Sequence, residues 1–229
     1  MPKLVPIVEG DGEVDAVPVL LRRLLFEERQ QYDWQVLKPK NAHGCGGLTT
    51  TGGIERFVRH ALKEDGCSGV LVLIDGDAVR RLAKTDRPKD DCSPAFAKLL
   101  ARRVQAIHPP VPVVIVVVRW EYEAWFLASV ETIAGQEIKG HPGLVATARY
   151  YGDVESEGSP TGWIEARFPA GWKYSETQDQ APLTGLLDFG LVEQRSRSFR
   201  RLKNALQQIL DAHGQGHAVV TPLAASPEG

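Results

Sequence analysis

Apolar runs of strand type alternate with stretches of helical spacing along the first 140 residues. Uninterrupted apolar runs, typical of strands buried on both faces, occupy residues 4–8, 70–74 and 113–118, with a shorter run at 34–37. Apolar positions three and four residues apart, typical of helices, occupy residues 14–29, 54–63, 95–107 and 121–133. This order predicts an α/β fold, with a Rossmann-like parallel sheet of about four strands flanked by helices.

The pattern weakens between and after these elements. Residues 39–53 predict a loop rich in glycine and threonine, and residues 79–94 predict a charged loop. Glycine, proline and aromatic residues dominate from residue 141 onward, and helical spacing returns at 183–189 and 192–213. We therefore predict three units: an α/β domain over residues 1–139, a mainly helical extension packed on it over 140–221, and a frayed tail over 222–229.

Composition excludes some classes of protein. The chain has 229 residues, 43% of them hydrophobic, and a net charge of −2. Contact with nucleic acid must therefore come from local basic patches or from bound metal. The longest apolar run, at residues 111–118, is too short to cross a bilayer, and no secretory signal is evident, so we expect a cytoplasmic protein without membrane contact. Three cysteines without C-x-x-C spacing favour a reducing compartment, with neither a disulfide framework nor a zinc site.

Acidic residues directly follow two of the predicted strands. Glu9 and Glu13 follow the first, and Asp75 and Asp77 follow the run at 70–74. Ligands of parallel α/β sheets bind at the carboxyl ends of strands, so these acids meet if the two strands are neighbours. Their mutual repulsion would be relieved by a divalent cation, and carboxylate oxygens suit Mg²⁺ or Mn²⁺. The pattern predicts a metal-dependent site that cleaves phosphodiester bonds.

Ordinary turn chemistry explains part of this pattern. Asp11 could cap the following helix, and Glu13 would be favoured by the helix dipole. Neither effect accounts for Glu9, an acid placed directly after an apolar strand. The Asp-Gly-Asp of residues 75–77 is also a common turn, although two acids after so apolar a strand are costly unless they face solvent or metal.

A third acidic pair, Glu121 and Glu123, follows the run at 113–118. Salt bridges with Arg119 at a helix N-terminus and metal ligation are both open interpretations of this pair. Glu123 is the better ligand candidate, because it lies between Tyr122 and Ala124, on the expected half-buried face.

Basic residues near the C-terminus are candidates for binding a nucleic-acid backbone. A solvated helix face explains such a run equally well. Lys173, beside Trp172, and Lys40, in the glycine-rich loop, are two further candidates. The candidates in the C-terminal run are Arg195, Arg197 and Arg200, with Arg201 and Lys203 beside them.

Val8-Glu9-Gly10 with Glu13, followed by Leu73-Ile74-Asp75-Gly76-Asp77, resembles the Toprim domain, the catalytic module of topoisomerases, primases and several nucleases. The resemblance implies that Glu9, Asp75 and Asp77 bind metal and perform catalysis, with Glu9 as general acid or base. In nucleases resembling the overcoming-lysogenization-defect enzymes, further acids complete a two-metal site; Glu13 and Glu121 or Glu123 would match.

Most of the chain is also similar to an uncharacterised bacterial Toprim branch associated with genome defence. The short Toprim motifs are supported there by segments resembling residues 120–125, Lys173-Tyr174 and residues 195–200. This similarity implies a nuclease of DNA or RNA with an ATPase partner protein, and a homodimer is compatible with it.

Two other functions fit the same residues. Residues 72–79 also match the haloacid-dehalogenase phosphatase signature, in which Asp75 would be the nucleophile. Alternatively, the chain is a non-catalytic subunit that binds an ATPase partner and nucleic acid.

Overall fold

The computed structural model describes residues 1–82, Pro88, 92–156 and 158–223. Its strands are β1 (Lys3–Val8), β2 (Gln35–Val36), β3 (Lys40–Asn41), β4 (Cys67–Asp75), β5 (Val113–Val118), β6 (Glu137–Ile138), β7 (His141–Pro142) and β8 (Val220–Thr221). The main sheet is parallel, in the order β2-β1-β4-β5-β8, and β3 pairs with β1 farther along the strand. The predicted α/β class with a parallel sheet is confirmed.

Ten α-helices are described around this sheet. They are α1 (Asp11–Arg23), α2 (Gly46–Thr49), α3 (Gly53–Ala61), α4 (Ser93–Gln105), α5 (Ala124–Ala128), α6 (Val130–Ile133), α7 (Pro160–Glu165), α8 (Glu176–Gly185), α9 (Phe189–Arg195) and α10 (Arg197–Gln215). A π-helical turn, Leu24–Glu28, extends α1, and a 3₁₀ turn, Gly76–Arg81, follows β4. No helix in the described part of the chain is long and apolar enough to cross a membrane.

The central strands bury side chains on both faces of the sheet. In β4, Leu71 and Leu73 join one hydrophobic cluster, to which α1, α5, α8 and α10 contribute. Val70, Val72 and Ile74 point the opposite way, into a second cluster with α3 and α4. Side chains alternate between the faces of a strand, so only a continuous apolar run can fill both clusters.

The order of the strands reverses between β1 and β4. The chain leaves β1, forms α1 on one face and reaches β2, then forms α3 on the other face and returns to β4 on the opposite side of β1. Such a reversal leaves a crevice at the carboxyl ends of the two strands, where open α/β sheets bind ligands. The strands before Glu9 and Asp75 are neighbours, which is the condition under which the acids that follow them can meet.

Pro6 lies inside a central strand, although proline cannot donate to a ladder. The carbonyls of Leu4 and Val8 accept from Leu37 N and Ala42 N, so Pro6, two residues from each, faces the same side of β1. On that side β2 pairs only with Lys3 and Leu4, and β3 only with Ile7 and Val8. The missing N–H of Pro6 therefore faces a gap between two short strands.

Several predicted helix boundaries were wrong. The continuous helices predicted at 121–133 and 192–213 are interrupted at Ser129 and Ser196, respectively. Ser196 Oγ accepts from Phe199 N at 3.2 Å and starts α10, while Ser129 Oγ accepts from Asp188 N at 2.8 Å. Helix 183–189 is replaced by α8, the predicted loop 39–53 contains β3 and α2, and helix 14–29 begins at Asp11.

Two predicted segments lie partly outside the described residues. These are the charged loop at 79–94 and the tail at 222–229, of which residues 224–229 are not described. The division at residue 139 stays a prediction, since one hydrophobic cluster joins residues from Leu4 to Ile209 across it.

Candidate functional site

Carboxylates from three neighbouring strands meet at the crevice between β1 and β4. Glu9 follows β1 directly, Asp75 ends β4, and Asp77 lies in the 3₁₀ turn that follows it. The third acidic pair follows β5, which is the neighbour of β4. All six predicted metal ligands line one cavity of about 480 Å³: Glu9, Glu13, Asp75, Asp77, Glu121 and Glu123.

The C-terminal helices supply the rest of the cavity wall. Glu165 of α7, and Glu176 and Gln180 of α8, also line it. Sequence reasoning missed these three residues, because residues 141–181 show no periodicity that places them. Gly12 allows the approach of α8: a Cβ at this position would lie 2.6 Å from Gln180 Oε1 and 2.9 Å from the Glu176 carbonyl oxygen.

The turn that carries Asp75 and Asp77 packs closely against the residues that follow β5. The backbone N–H groups of Gly76 and Asp77 donate to the Trp120 carbonyl at 2.8 and 3.3 Å. A Cβ on Gly76 would lie 2.4 Å from the Val118 carbonyl oxygen, so any larger residue would push the ends of β4 and β5 apart. The Asp-Gly-Asp sequence therefore fixes the two acids against the end of β5.

The described residues that line the acidic cavity include no positive side chain. Eight carboxylates line it, and no Lys, Arg or His does so among the described residues. Buried oxygens without a hydrogen-bond partner include Glu9 Oε2, Glu13 Oε1 and Asp75 Oδ1, together with Gln180 Oε1. Such orphaned acceptors are unfavourable and rare in folded proteins, and at this site they point to a missing donor or cation.

Burial and mutual repulsion raise the pKa values of the inner carboxyls. Burial, with repulsion from Glu9 and Glu123, raises the pKa of Glu13 to about 8. The pKa of Asp75 lies well above 3.8 for the same reasons, and burial beside Asp77 raises that of Glu9. A bound cation would favour the ionised forms and would release these protons.

Glu123 is buried and held by two side-chain donors. Tyr174 Oη donates to its Oε1 at 2.6 Å, and Gln180 Nε2 donates to the same oxygen at 3.1 Å. Burial raises the pKa of Glu123 to about 7, while the Tyr174 hydrogen bond opposes this rise. The two donors therefore fix the acid in position.

Glu13 accepts two backbone hydrogen bonds in the turn after β1 and keeps one oxygen without a partner. The N–H groups of Glu9 and Gly10 donate to its Oε2 at 2.9 and 2.7 Å, while its Oε1 is unpartnered. The predicted capping role of Asp11 was wrong, because Gly10 occupies the N-cap and Asp11 is the exposed first residue of α1. Glu13 thus anchors the turn that presents Glu9.

The chemistry of the donors fits a hard divalent cation such as Mg²⁺ or Mn²⁺, which prefers carboxylate oxygens. The carboxylates line one cavity, but they do not surround a common point. Within residues 1–82, 92–156 and 158–223, no three Asp, Glu, His or Cys side chains are already arranged to hold an ion. Glu121 Oε2, for example, accepts from Thr161 N at 2.9 Å.

The predicted nucleic-acid-binding residues lie outside this cavity, and most have internal partners. Lys40 pairs with Glu64, and Arg195 pairs with Glu131 at 2.8 Å. Arg200 donates to the carbonyls of Glu193 and Gln194.

Two of the predicted residues remain more accessible. Lys173 is exposed beside Trp172, whose ring stacks on His141 with centroids 5.1 Å apart. Arg197 pairs with the buried Glu155 at 2.7 Å and lines a second, separate cavity.

The fold and the site together define an α/β protein with an acidic cavity at the switch point of a parallel sheet. Residues 8–207 match a family model described as a domain of unknown function, DUF4276. The chain belongs to this family. The comparisons with curated proteins and with solved structures gave no match.

Proposed function

We propose that this protein hydrolyses phosphodiester bonds of nucleic acid with Mg²⁺ or Mn²⁺ bound in the acidic cavity. The observation that carries the proposal is the convergence of eight carboxylates, without a positive side chain among the described lining residues, at the switch point of the sheet. The Toprim resemblance supports it, since Glu9, Asp75 and Asp77 occupy the positions that the motif assigns to metal binding.

The Toprim resemblance divides the residues into two sets. Glu9, Asp75 and Asp77 would hold one ion, and Glu13 with Glu121 or Glu123 would hold a second. Such ions, when bound, supply an activated water and stabilise the leaving oxygen.

Proton transfer is the second task of the site, and Glu9 is its candidate. Burial and Asp77 raise the pKa of Glu9 above 4.5, so a proton stays on this carboxyl at higher pH than usual. The backbone N–H groups of Asp75 and Cys45 act in the opposite direction and limit the rise in the pKa of Glu9. Glu9 would then serve as general acid or base, as the Toprim resemblance implies.

A cleavage assay with Mn²⁺ tests the proposal on plasmid, single-stranded DNA and RNA. Asp75→Asn should reduce the cleavage rate at least about 10³-fold, because it removes a ligand charge at the centre of the cavity. Asp15→Asn is the matched control, since Asp15 is an exposed acid of α1 outside the cavity. Equal cleavage by wild type and Asp75→Asn would contradict the proposal.

The open arrangement of the ligands favours one alternative, a non-catalytic subunit that binds nucleic acid and an ATPase partner. Mg²⁺ binding without cleavage of any substrate, together with co-purification of a partner, would support it. The phosphatase alternative is weakened because Glu9 and Glu13 lie near Asp75, where their charges would repel a phosphate. Trapping of a phosphoaspartate on Asp75 would support that alternative. Cytoplasmic location and a homodimer remain part of the proposal.

A further inference from the structure

A second cavity, of about 640 Å³, opens at the same end of the sheet as the acidic cavity. It lies at the start of α4 and is lined by Ser93, Arg119, Arg197 and Arg201, among others. A Cβ on Gly76 would lie 3.1 Å from Ser93 Oγ, so this cavity abuts the turn that carries Asp75 and Asp77. We call it the arginine cleft.

Arginines outnumber carboxylates among the described residues that line the arginine cleft. Three guanidinium groups line it, and Glu155 is the sole carboxylate among its described lining residues. Glu155 is buried and already accepts from Ser198 N at 2.6 Å and from Arg197 Nε at 2.7 Å. Among the described lining residues, Arg119 and Arg197 both donate to Glu155, which leaves Arg201 as the third arginine.

The guanidinium of Arg201 lines the cleft. It is half-buried and makes no hydrogen bond or ion pair with any described residue. Burial lowers the pKa of its guanidinium, as expected for a cation withdrawn from water without a bound partner. Five donors in a planar fork suit the oxygens of a phosphate group.

The start of α4 supplies neutral donors to the same cleft. Ser93 is 2% exposed, and its Oγ has no hydrogen-bond partner. In the first turn of this 13-residue helix Pro94 has no N–H and Phe96 N donates to the Cys92 carbonyl, so Ser93 and Ala95 supply the N–H groups without partners within the helix. The helix dipole favours an anion at this end. A buried hydroxyl, free N–H groups and arginines together form a recognised type of phosphate site.

We propose that the arginine cleft binds a phosphate group of the nucleic-acid strand next to the phosphate being cleaved. This inference rests on the proposed function, because the acidic cavity beside the cleft would hold the scissile phosphate. It also distinguishes Arg201 from the rest of the basic run: Arg201 contacts the phosphate, whereas Arg195, Arg197, Arg200 and Lys203 are held by internal partners.

Arg201→Gln is the variant that tests the cleft. Arg197 is unsuitable, because its removal would leave the buried Glu155 charge without its ion pair. Arg102→Gln is the matched control, since Arg102 is exposed near the other end of α4. Thermal unfolding should show that both variants fold, and Arg201→Lys, which keeps the charge without the fork, adds a second test.

The measurement is fluorescence anisotropy of a labelled oligonucleotide in EDTA over a salt series. Arg201→Gln should weaken binding about 10-fold and lower the slope of log K against log salt by about one, while Arg102→Gln changes affinity less than about 2-fold. Arg201→Lys should keep the salt slope near that of wild type and lose part of the affinity. In Mn²⁺, Arg201→Gln should raise KM about 10-fold and change kcat less than about 3-fold.

The outcomes separate this inference from the proposed function. Wild type that neither binds nor cleaves nucleic acid would overturn both. Wild type that binds and cleaves, with Arg201→Gln indistinguishable from Arg102→Gln, would overturn the cleft assignment alone. Stabilisation of wild type but not Arg201→Gln by inorganic phosphate, with oligonucleotide binding unchanged in the variant, would assign the cleft to a free phosphate and overturn the nucleic-acid assignment.

Discussion

Replacement of Glu13 by glutamine tests how far an ionised carboxyl buried in the acidic cavity lowers the stability of the fold. Glu13 is 4% exposed, and burial raises its pKa from 4.5 to about 8. Between these two values the folded protein holds a proton at Glu13 that the unfolded chain has lost. Stability in the absence of metal must therefore fall as pH rises through this window.

The magnitude follows from the pKa values. Each pKa unit corresponds to about 1.4 kcal/mol, so this site should remove roughly 3 to 5 kcal/mol of stability between about pH 5 and about pH 8.5. Glutamine avoids the charge, and its amide oxygen can still accept from the N–H groups of Glu9 and Gly10 that now donate to Glu13 Oε2. The Glu13→Gln variant should match wild type near the lower pH and exceed it by most of this amount at the higher pH.

The assay is urea unfolding in EDTA at the two pH values, followed by circular dichroism and tryptophan fluorescence. Other groups titrate in both proteins, so the difference between variant and wild type reports the titration of Glu13 together with its repulsion of Glu9, Asp75 and Glu123. Glu165→Gln is the control, because Glu165 lines the same cavity but is exposed, and it should show no pH-dependent gain. A stability difference that is the same at both pH values, or a variant less stable at the higher pH, would refute the reasoning.

Three further predictions concern metal binding and packing. Mg²⁺ at millimolar concentration should raise the Tm of wild type more at about pH 8.5 than at about pH 6, because protons on Glu13 and Glu123 compete with it. Asp75→Asn should remove this shift in differential scanning calorimetry. Gly12→Ala should lower stability by about 1 to 3 kcal/mol, since its Cβ would overlap Gln180 and Glu176. Gly214→Ala, at an open helical position, should be neutral or stabilising in the same unfolding assay. Tyr174→Phe removes a hydrogen bond that lowers the pKa of Glu123, so calorimetric Mn²⁺ affinity should fall about 3- to 10-fold near pH 7 and recover near pH 9.

The strands and the acids that follow them were predictable because both signals are local. Burial on two faces requires an uninterrupted apolar run, and such runs mark β1, β4 and β5 directly. An acid at the carboxyl end of such a run is visible in the same way. The sequence did not indicate that β1 and β4 are neighbours; pairing of strands far apart in the chain settles that.

The C-terminal contribution to the cavity was not predictable, because tertiary packing decides it. Glu176 and Gln180 reach the site only because Gly12 lets α8 approach α1 closely, and nothing in residues 141–181 signals that contact. Gly12 is visible in the sequence, but the sequence does not indicate that α8 packs against it.

The point at which α10 begins decides which neighbours each residue of the basic run contacts. The interruption at Ser196 places Arg195 on α9, where Glu131 pairs with it, and starts α10 at Arg197. One helical turn after Arg197, Arg201 lies in the same cleft. These residues look alike in the sequence and differ only in the neighbours that the fold supplies.

The most direct test of the acidic cavity as a metal site is anomalous diffraction from a crystal soaked in Mn²⁺. We predict at least one anomalous peak inside the cavity, within coordination distance of carboxylate oxygens of Glu9 and Asp75, and its loss in an Asp75→Asn crystal. Saturating Mn²⁺ that gives peaks only at the protein surface, with the oxygens of Glu9 and Asp75 still unpartnered, would contradict the account.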